Sequence, residues 1–73
     1  EASIKQRRAI DYLRRHGILE SLPRELVSAA DLRESNPEAT LGELCKLSDE
    51  PLTVSGLNHR LEKLIKLYEE LKK

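Results

Sequence analysis

The sequence predicts an all-α fold, a small bundle of about four helices, on three observations. First, the apolar residues are mostly leucine, a strong helix former, with 14 Leu against two Tyr and no Phe or Trp. Second, they recur every three or four residues, which is the spacing of one helix face. Third, the three Gly and three Pro stand near the predicted helix ends. At 73 residues, the chain (1–73) is predicted to form one domain.

The first helix is predicted over Ser3–His16, followed by Gly17 as a left-handed C-cap. Its buried stripe is narrow and mostly apolar: Gln6, Ala9, Ile10 and Leu13. An apolar connector follows and is predicted to tuck under the bundle: Ile18, Leu19 and Leu22.

The second helix is predicted over Pro23–Ser35, with Ser21 as its N-cap. Its buried side is traced by residues at helical spacing: Leu22, Leu26, Ala29, Ala30 and Arg33, widened by Val27 and Leu32. Pro37 ends the helix, because the residue before a proline avoids the helical region.

The third helix is predicted to begin after Thr40, because Thr40 and Glu43 have the spacing of a capping box. Its predicted buried side is short: Leu41, Leu44, Cys45 and Leu47. The segment 48–52, which contains Pro51, then breaks the helix.

The fourth helix is predicted to run from an N-cap at Thr53 to about Leu71. A buried stripe repeats at intervals of four and three residues: Leu57, Leu61, Leu64, Tyr68 and Leu71. Polar residues point away from it: Ser55, His59, Glu62, Lys63 and Lys66. Gly56 and Asn58 are predicted to lie on the two shoulders between these faces.

The last two helices and their short turn have the layout of a helix-turn-helix, whose second helix enters the DNA major groove. The run Ser55-Gly56-Leu57-Asn58-His59-Arg60-Leu61 lies near the start of that second helix. Asparagine pairs with adenine and arginine with guanine, so Asn58 and Arg60 are candidate base contacts. His59 can donate to a base or a phosphate, and Gly56 would let the helix backbone approach the groove closely.

Phosphate contacts are expected from hydroxyl and ammonium groups on the same two helices. The candidates are Thr40, Thr53, Ser55, Lys63 and Lys66. The distribution of charge agrees with this prediction although the net charge is zero. Residues 1–16 carry five basic and two acidic groups, residues 17–53 three and eight, and residues 54–73 five and three. A local basic face drives phosphate contact more than total charge does.

Each candidate also has a purely structural explanation. Asn58 could hydrate a helix shoulder, and His59 could be an ordinary surface histidine. A salt bridge between Arg60 and an acidic residue of the second or third helix is as well supported as a base contact. Gly56 could be required where another helix crosses, and Thr40 is first of all a cap.

The residue pattern does not indicate an enzyme, a metal site or a cofactor. His16, Cys45 and His59 are single residues without metal-ligand spacing, and no glycine-rich phosphate loop is present. No apolar run of 18 residues or signal-peptide pattern occurs, so no membrane association is expected. One cysteine cannot form an internal disulfide, which favours a reducing compartment and a cytoplasmic location.

Nearly the whole chain resembles the C-terminal domain of the WhiA family, bacterial regulators linked to sporulation and cell division. The specific part is the run 55–61, supported by Leu32-Arg33, residues 36–44 and Pro51. Earlier positions also fit: Ala9-Ile10, Tyr12-Leu13, Leu22-Pro23 and Leu26.

The resemblance implies a helix-turn-helix similar to region 4 of sigma factors, with the recognition helix over Thr53–Leu64. It also implies a non-catalytic N-terminal domain related to homing endonucleases, and a nucleoid-associated transcription regulator for which an RNA polymerase sigma factor is a candidate partner. One position departs from the family pattern. Val54 stands where the family commonly has lysine, so a contact expected from that lysine is missing unless Lys63 replaces it.

The sequence therefore predicts a sequence-specific DNA-binding domain that reads the major groove with its last helix. The alternative is a helical protein-interaction module that contacts a partner domain or the transcription machinery. That alternative rests on an apolar side of the last helix that is wider than a coiled-coil seam: Leu64, Ile65, Leu67, Tyr68 and Leu71. RNA binding is less favoured, because two Tyr offer little for base stacking.

Overall fold

The computed structural model describes residues 2–72, most of which lie in four α-helices. They are α1 (Ala2–Arg15), α2 (Arg24–Ser35), α3 (Leu41–Leu47) and α4 (Val54–Lys72), with a short 3₁₀ helix (Leu19–Ser21) before α2. No strand occurs among residues 2–72, and none of their helices is long and apolar enough to cross a bilayer. The predicted all-α bundle is confirmed, and the predicted helix bounds hold to within one residue.

α4 is the central helix, because α1, α2 and α3 all pack against it. Leu57, Leu61 and Leu64 lie on one face of α4 over two turns, and all three are buried. The other elements supply the rest of the apolar core: Ala9, Ile10, Leu13, Leu19, Ala29, Ala30 and Leu44. The packing of three helices on one side of α4 leaves its opposite face to the solvent.

Local cap chemistry defines three of the helix ends as predicted. Gly17 has φ +70°, the left-handed conformation of a C-cap. At the start of α3, the Glu43 amide donates to Thr40 Oγ1 at 3.2 Å, and the Thr40 amide donates to Glu43 Oε1 at 2.8 Å. At the start of α4, the Gly56 amide donates to Thr53 Oγ1 at 2.9 Å. Both helices of the candidate helix-turn-helix are therefore capped by threonine.

Three predictions about side chains are wrong. Ser21 does not cap α2: Pro23 holds the N-cap position, and the Ser21 hydroxyl donates to the Ile18 carbonyl at 2.8 Å. Leu47 is 55% exposed and Leu71 is 43% exposed, although both were expected to be buried. Each lies in the last turn of its helix, where the neighbouring helices no longer cover it.

Ion pairs join α1 to α2 at the C-terminal end of α1. The Arg14 guanidinium contacts Asp31 at 2.8 Å and Glu34 at 2.6 Å. The hydrogen bonds that Arg14 donates to these two carboxylates, Glu34 first, raise the pKa of Arg14. Arg15 pairs with Asp11 one turn earlier in α1. Acidic partners therefore offset part of the positive charge that the sequence places on this helix.

Candidate nucleic-acid interface

The free face of α4 carries four of the predicted contact residues. Ser55, His59, Lys63 and Lys66 are all exposed there. At a rise of about 1.5 Å per residue, Ser55 and Lys66 stand about 16 Å apart along the helix axis. That length is comparable to the width of the major groove, about 12 Å. Glu62 is exposed on the same face, so the face is polar and mixed in charge.

Asn58, His59 and Arg60 do not point in the same direction. Successive helix positions rotate by about 100°, so Asn58 and Arg60 lie on opposite edges of the free face. Both are half-buried, whereas His59 is exposed between them. His59 is thus the member of this trio that points away from the core, while Asn58 and Arg60 would approach DNA from the sides.

Arg60 forms an ion pair with the turn that precedes α4. Its Nη1 donates to Glu50 Oε1 at 2.9 Å, and the two side chains are 24% and 54% exposed. A salt bridge at Arg60 was one of two open alternatives, but its acidic partner lies in the α3–α4 turn and not in α2 or α3. Arg60 would have to release Glu50, or use its other nitrogens, to reach a base.

A side chain at Gly56 would crowd the N-cap of α4. A Cβ at this position would stand 3.1 Å from Thr53 Oγ1, the oxygen that accepts the Gly56 amide hydrogen bond. No atom of another helix among the described residues comes within 4 Å of that Cβ position. The prediction of a crossing helix is therefore wrong, and the backbone at Gly56 has open space beside it.

Thr40 is exposed at the start of α3, but its amide is already occupied by Glu43. This hydrogen bond, followed by that from the Thr40 side chain, lowers the pKa of Glu43 and keeps it charged. A carboxylate beside Thr40 repels a phosphate. A phosphate contact by Thr40 would therefore require its hydroxyl proton to leave the Glu43 carboxylate, since Oγ1 already accepts from the Glu43 amide.

Arg33 has a role that the sequence analysis did not assign. It is 2% exposed, and its Nη1 donates to the carbonyls of Asn36, Pro37 and Ala39 at 3.4, 3.3 and 2.7 Å. Burial, and next the charge of Arg7, lower the pKa of Arg33. Its Nε has no hydrogen-bond partner among residues 2–72. Arg33 therefore holds the segment that leads into α3. The feature of the sequence that could have indicated this role is a charged residue at a position of the second helix that is expected to be buried.

Val54 is the first residue of α4 and is 49% exposed. The sequence resemblance leads us to expect a lysine here, and this chain presents an apolar group in its place. The nearest exposed lysine on the free face of α4 is Lys63, more than two turns further along.

A family model described as the WhiA C-terminal HTH domain matches residues 1–68. Three similar proteins bear the name probable cell division protein WhiA. The protein from Oenococcus oeni is 44% identical over 72 residues, which cover 97% of this chain and 23% of that protein. The protein from Lactococcus lactis subsp. cremoris is 51% identical over 65 residues, which cover 89% of this chain and 21% of that protein. The protein from Clostridium acetobutylicum is 40% identical over 72 residues, which cover 99% of this chain and 23% of that protein.

The chain thus spans less than a quarter of the length of these curated relatives. No solved structure matches the chain. The predicted likeness to region 4 of sigma factors therefore stays a prediction.

Proposed function

The chain belongs to the WhiA family, as its C-terminal helix-turn-helix domain, and from this premise we propose that it binds duplex DNA sequence-specifically with α4 in the major groove. One observation carries the proposal. α4 has one face locked into the core by three helices, while its N-terminal half presents a free polar face. A helix held in this way can enter a groove without unfolding any other part of the bundle.

The proposed contacts follow from where each side chain lies. His59 would meet base edges, with Asn58 and Arg60 reaching bases from the two sides of α4. Backbone phosphates would be held by the exposed hydroxyl and ammonium groups: Thr40, Thr53, Ser55, Lys63 and Lys66. Gly56 would allow the helix backbone to come close to the DNA.

The relatives bear a name that refers to cell division and are more than four times as long as this chain. We propose that the domain serves a bacterial transcription regulator of cell division or sporulation, located in the cytoplasm with the nucleoid. A larger N-terminal domain related to homing endonucleases would add to the affinity of the helix-turn-helix. An RNA polymerase sigma factor is a candidate partner of the whole regulator.

The test begins by selecting duplexes with a randomised centre on the immobilised chain. The selected duplex is then titrated into the ¹⁵N-labelled chain at low and moderate salt. Amide shifts should cluster at Thr40 and along 53–66, and affinity should fall steeply with salt because phosphate contacts release counterions. No enriched sequence and no shifts along α4 would overturn the proposal.

A matched pair of histidine variants sharpens this test. His59→Ala should weaken binding of the selected duplex more than that of a scrambled one, because a base contact discriminates between sequences. His16→Ala removes an exposed histidine directly after α1, outside the proposed DNA contacts, and should leave both affinities unchanged. Equal losses in the two variants would argue against base reading by His59.

A further inference from the structure

A concave surface lies where the N-terminal half of α1 passes the C-terminal half of α4. This notch has a volume of about 390 Å³ and is lined by Lys5, Arg8, Ile65, Tyr68, Glu69 and Lys72. On α4 it begins at Ile65, next to Lys66, the last of the candidate DNA contacts. Ser55 and Lys72 are nevertheless separated by about 25 Å along the helix axis, so a ligand in the notch leaves the start of α4 accessible.

The floor of the notch is apolar and fixed in place. Ile65 and Tyr68 are half-buried, and the Tyr68 ring packs edge-to-face on Tyr12 with ring centres 5.1 Å apart. The Lys72 ammonium lies over the Tyr68 ring, 5.4 Å from its centre. An aromatic ring held by a second ring offers a firm surface for an inserted apolar side chain.

The rim of the notch is predominantly cationic. Lys5, Arg8 and Lys72 are exposed around it, with Glu69 as the acidic residue of the lining. The ion pairs within residues 2–72 engage other cations, namely Arg14, Arg15 and Arg60. No carboxylate among these residues therefore pairs with the rim cations, and their positive charge complements an acidic ligand.

Two exposed apolar residues adjoin rim residues in the sequence. α1 covers much of the wide apolar side of α4, since Leu64 is buried and Leu67 packs against the core. Ile4 and Leu71 nevertheless remain 49% and 43% exposed beside Lys5 and Lys72. A phosphate needs no apolar surface, whereas a protein interface combines an apolar centre with a polar rim. The notch therefore fits a peptide better than a nucleic-acid backbone.

We propose that this notch docks an acidic segment of a partner protein. The segment inserts an apolar side chain against Ile65 and Tyr68 while its carboxylates pair with Lys5, Arg8 and Lys72. The volume lies near the lower limit of small-ligand sites, about 300 Å³, so the notch takes one or two side chains of an extended segment. This interaction goes beyond DNA binding and depends on different residues.

Two synthetic peptides test the proposal. One consists of Asp and Glu around a central Leu pair, and the other is identical except that Ser replaces both Leu. Titration of each into the ¹⁵N-labelled chain should give saturable shifts at the notch residues for the Leu peptide, with affinity at least about tenfold higher than for the Ser peptide. A tenfold difference corresponds to about 1.4 kcal/mol, which is close to the lower limit of the free energy gained by burying one large apolar side chain.

Charge variants at exposed positions provide a second test of the proposal. Arg8→Glu should weaken the Leu peptide by about tenfold or more, because it places like charges opposite each other. Arg24→Glu makes the same change on α2, outside the notch, and should leave affinity unchanged. Circular dichroism of both variants verifies the fold, and Arg8→Gln should have an intermediate effect.

Three results would overturn the proposal. The first is equal affinity for the two peptides, which would reduce the effect to non-specific charge attraction. The second is the absence of shifts at the notch. The third is displacement of the Leu peptide by duplex DNA together with shifts at the same residues, which would make the notch part of the phosphate-binding surface.

Discussion

Arg33 Nη1 donates a hydrogen bond to the carbonyl oxygen of Ala39 at 2.7 Å, which joins the buried side of α2 to the residue before the cap of α3. Two further carbonyls, those of Asn36 and Pro37, accept from the same nitrogen. The start of the helix-turn-helix is therefore positioned from within the core by the buried guanidinium of Arg33. The free-energy cost of burying this charge is offset only while the three carbonyl oxygens accept its hydrogen bonds.

Removal of this group should destabilise the protein strongly. We expect Arg33→Met to lower the free energy of unfolding by about 2–3 kcal/mol, because it leaves carbonyls of the α2–α3 segment without their donor. Urea unfolding measures the change. Arg24→Met is the matched control: Arg24 is exposed, so its loss should change stability by less than about 0.5 kcal/mol. Equal losses in the two variants would contradict the role assigned to Arg33.

Gly17 should resist substitution for reasons of backbone conformation alone. It has φ +70°, and a Cβ there would meet no atom within 4 Å. Gly17→Ala should therefore cost about 1 kcal/mol from left-handed strain without any steric clash. Gly17→Asn should cost less, since Asn tolerates this conformation. Thermal unfolding of the two variants distinguishes strain from packing: a larger loss for Asn than for Ala would point to crowding instead.

Gly56 and Thr53 should be energetically coupled. Alanine in a helix is favoured over glycine by about 1 kcal/mol, but a Cβ at position 56 would crowd the Thr53 hydroxyl at 3.1 Å. Gly56→Ala should therefore stabilise the chain more in a Thr53→Ala background than in the original one. A double-mutant cycle by urea unfolding measures this coupling. Additive effects would show that Thr53 moves aside freely.

Gly56→Ala also tests the approach of α4 to DNA. If the helix backbone lies close to the groove at this position, the variant should lose affinity for duplex DNA even though its fold is intact. Fluorescence anisotropy with the selected duplex provides the measurement. Unchanged affinity would leave the cap as the reason for Gly56.

The ion pair between Arg60 and Glu50 should compete with DNA for Arg60. Glu50→Gln should raise affinity for duplex DNA, because it frees a guanidinium and removes a negative charge near the groove. Arg60→Gln should lower that affinity. Stability should change by less than about 1 kcal/mol in either variant, since the pair is partly exposed. If Arg60→Gln binds DNA as well as the original chain, Arg60 serves only to tie down the turn.

Glu43 should make the start of α3 sensitive to acid. The folded-state pKa of Glu43 lies below its ordinary value of 4.5 because the Thr40 amide and hydroxyl stabilise the carboxylate. A carboxylate with a lowered folded-state pKa stabilises the fold at pH values above its unfolded-state pKa. This stabilisation is lost as the pH falls through the folded-state pKa. Side-chain NMR titration should therefore show a lowered pKa for Glu43, and Thr40→Val should raise it. Unchanged titration in that variant would mean that the hydroxyl plays no part.

The sequence by itself determined the helices, their ends and most of the core. These features depend on neighbours a few residues apart: the stripe that includes Leu57 and Leu61, the capping box at Thr40, and the left-handed glycine at position 17. A helix face repeats every three or four residues, and a cap hydrogen bond spans three, so both can be found in a linear sequence. The polar side of α4 follows from the same periodicity.

Only the tertiary structure decided which distant groups meet. The sequence could not show that Arg33 binds the carbonyls before α3, that Arg60 pairs with the turn residue Glu50, or that Leu47 and Leu71 are left uncovered. The notch between α1 and α4 is of the same kind, because it brings residues 5 and 72 together. Helix crossing and loop path determine such contacts, and the packing of the whole bundle sets both.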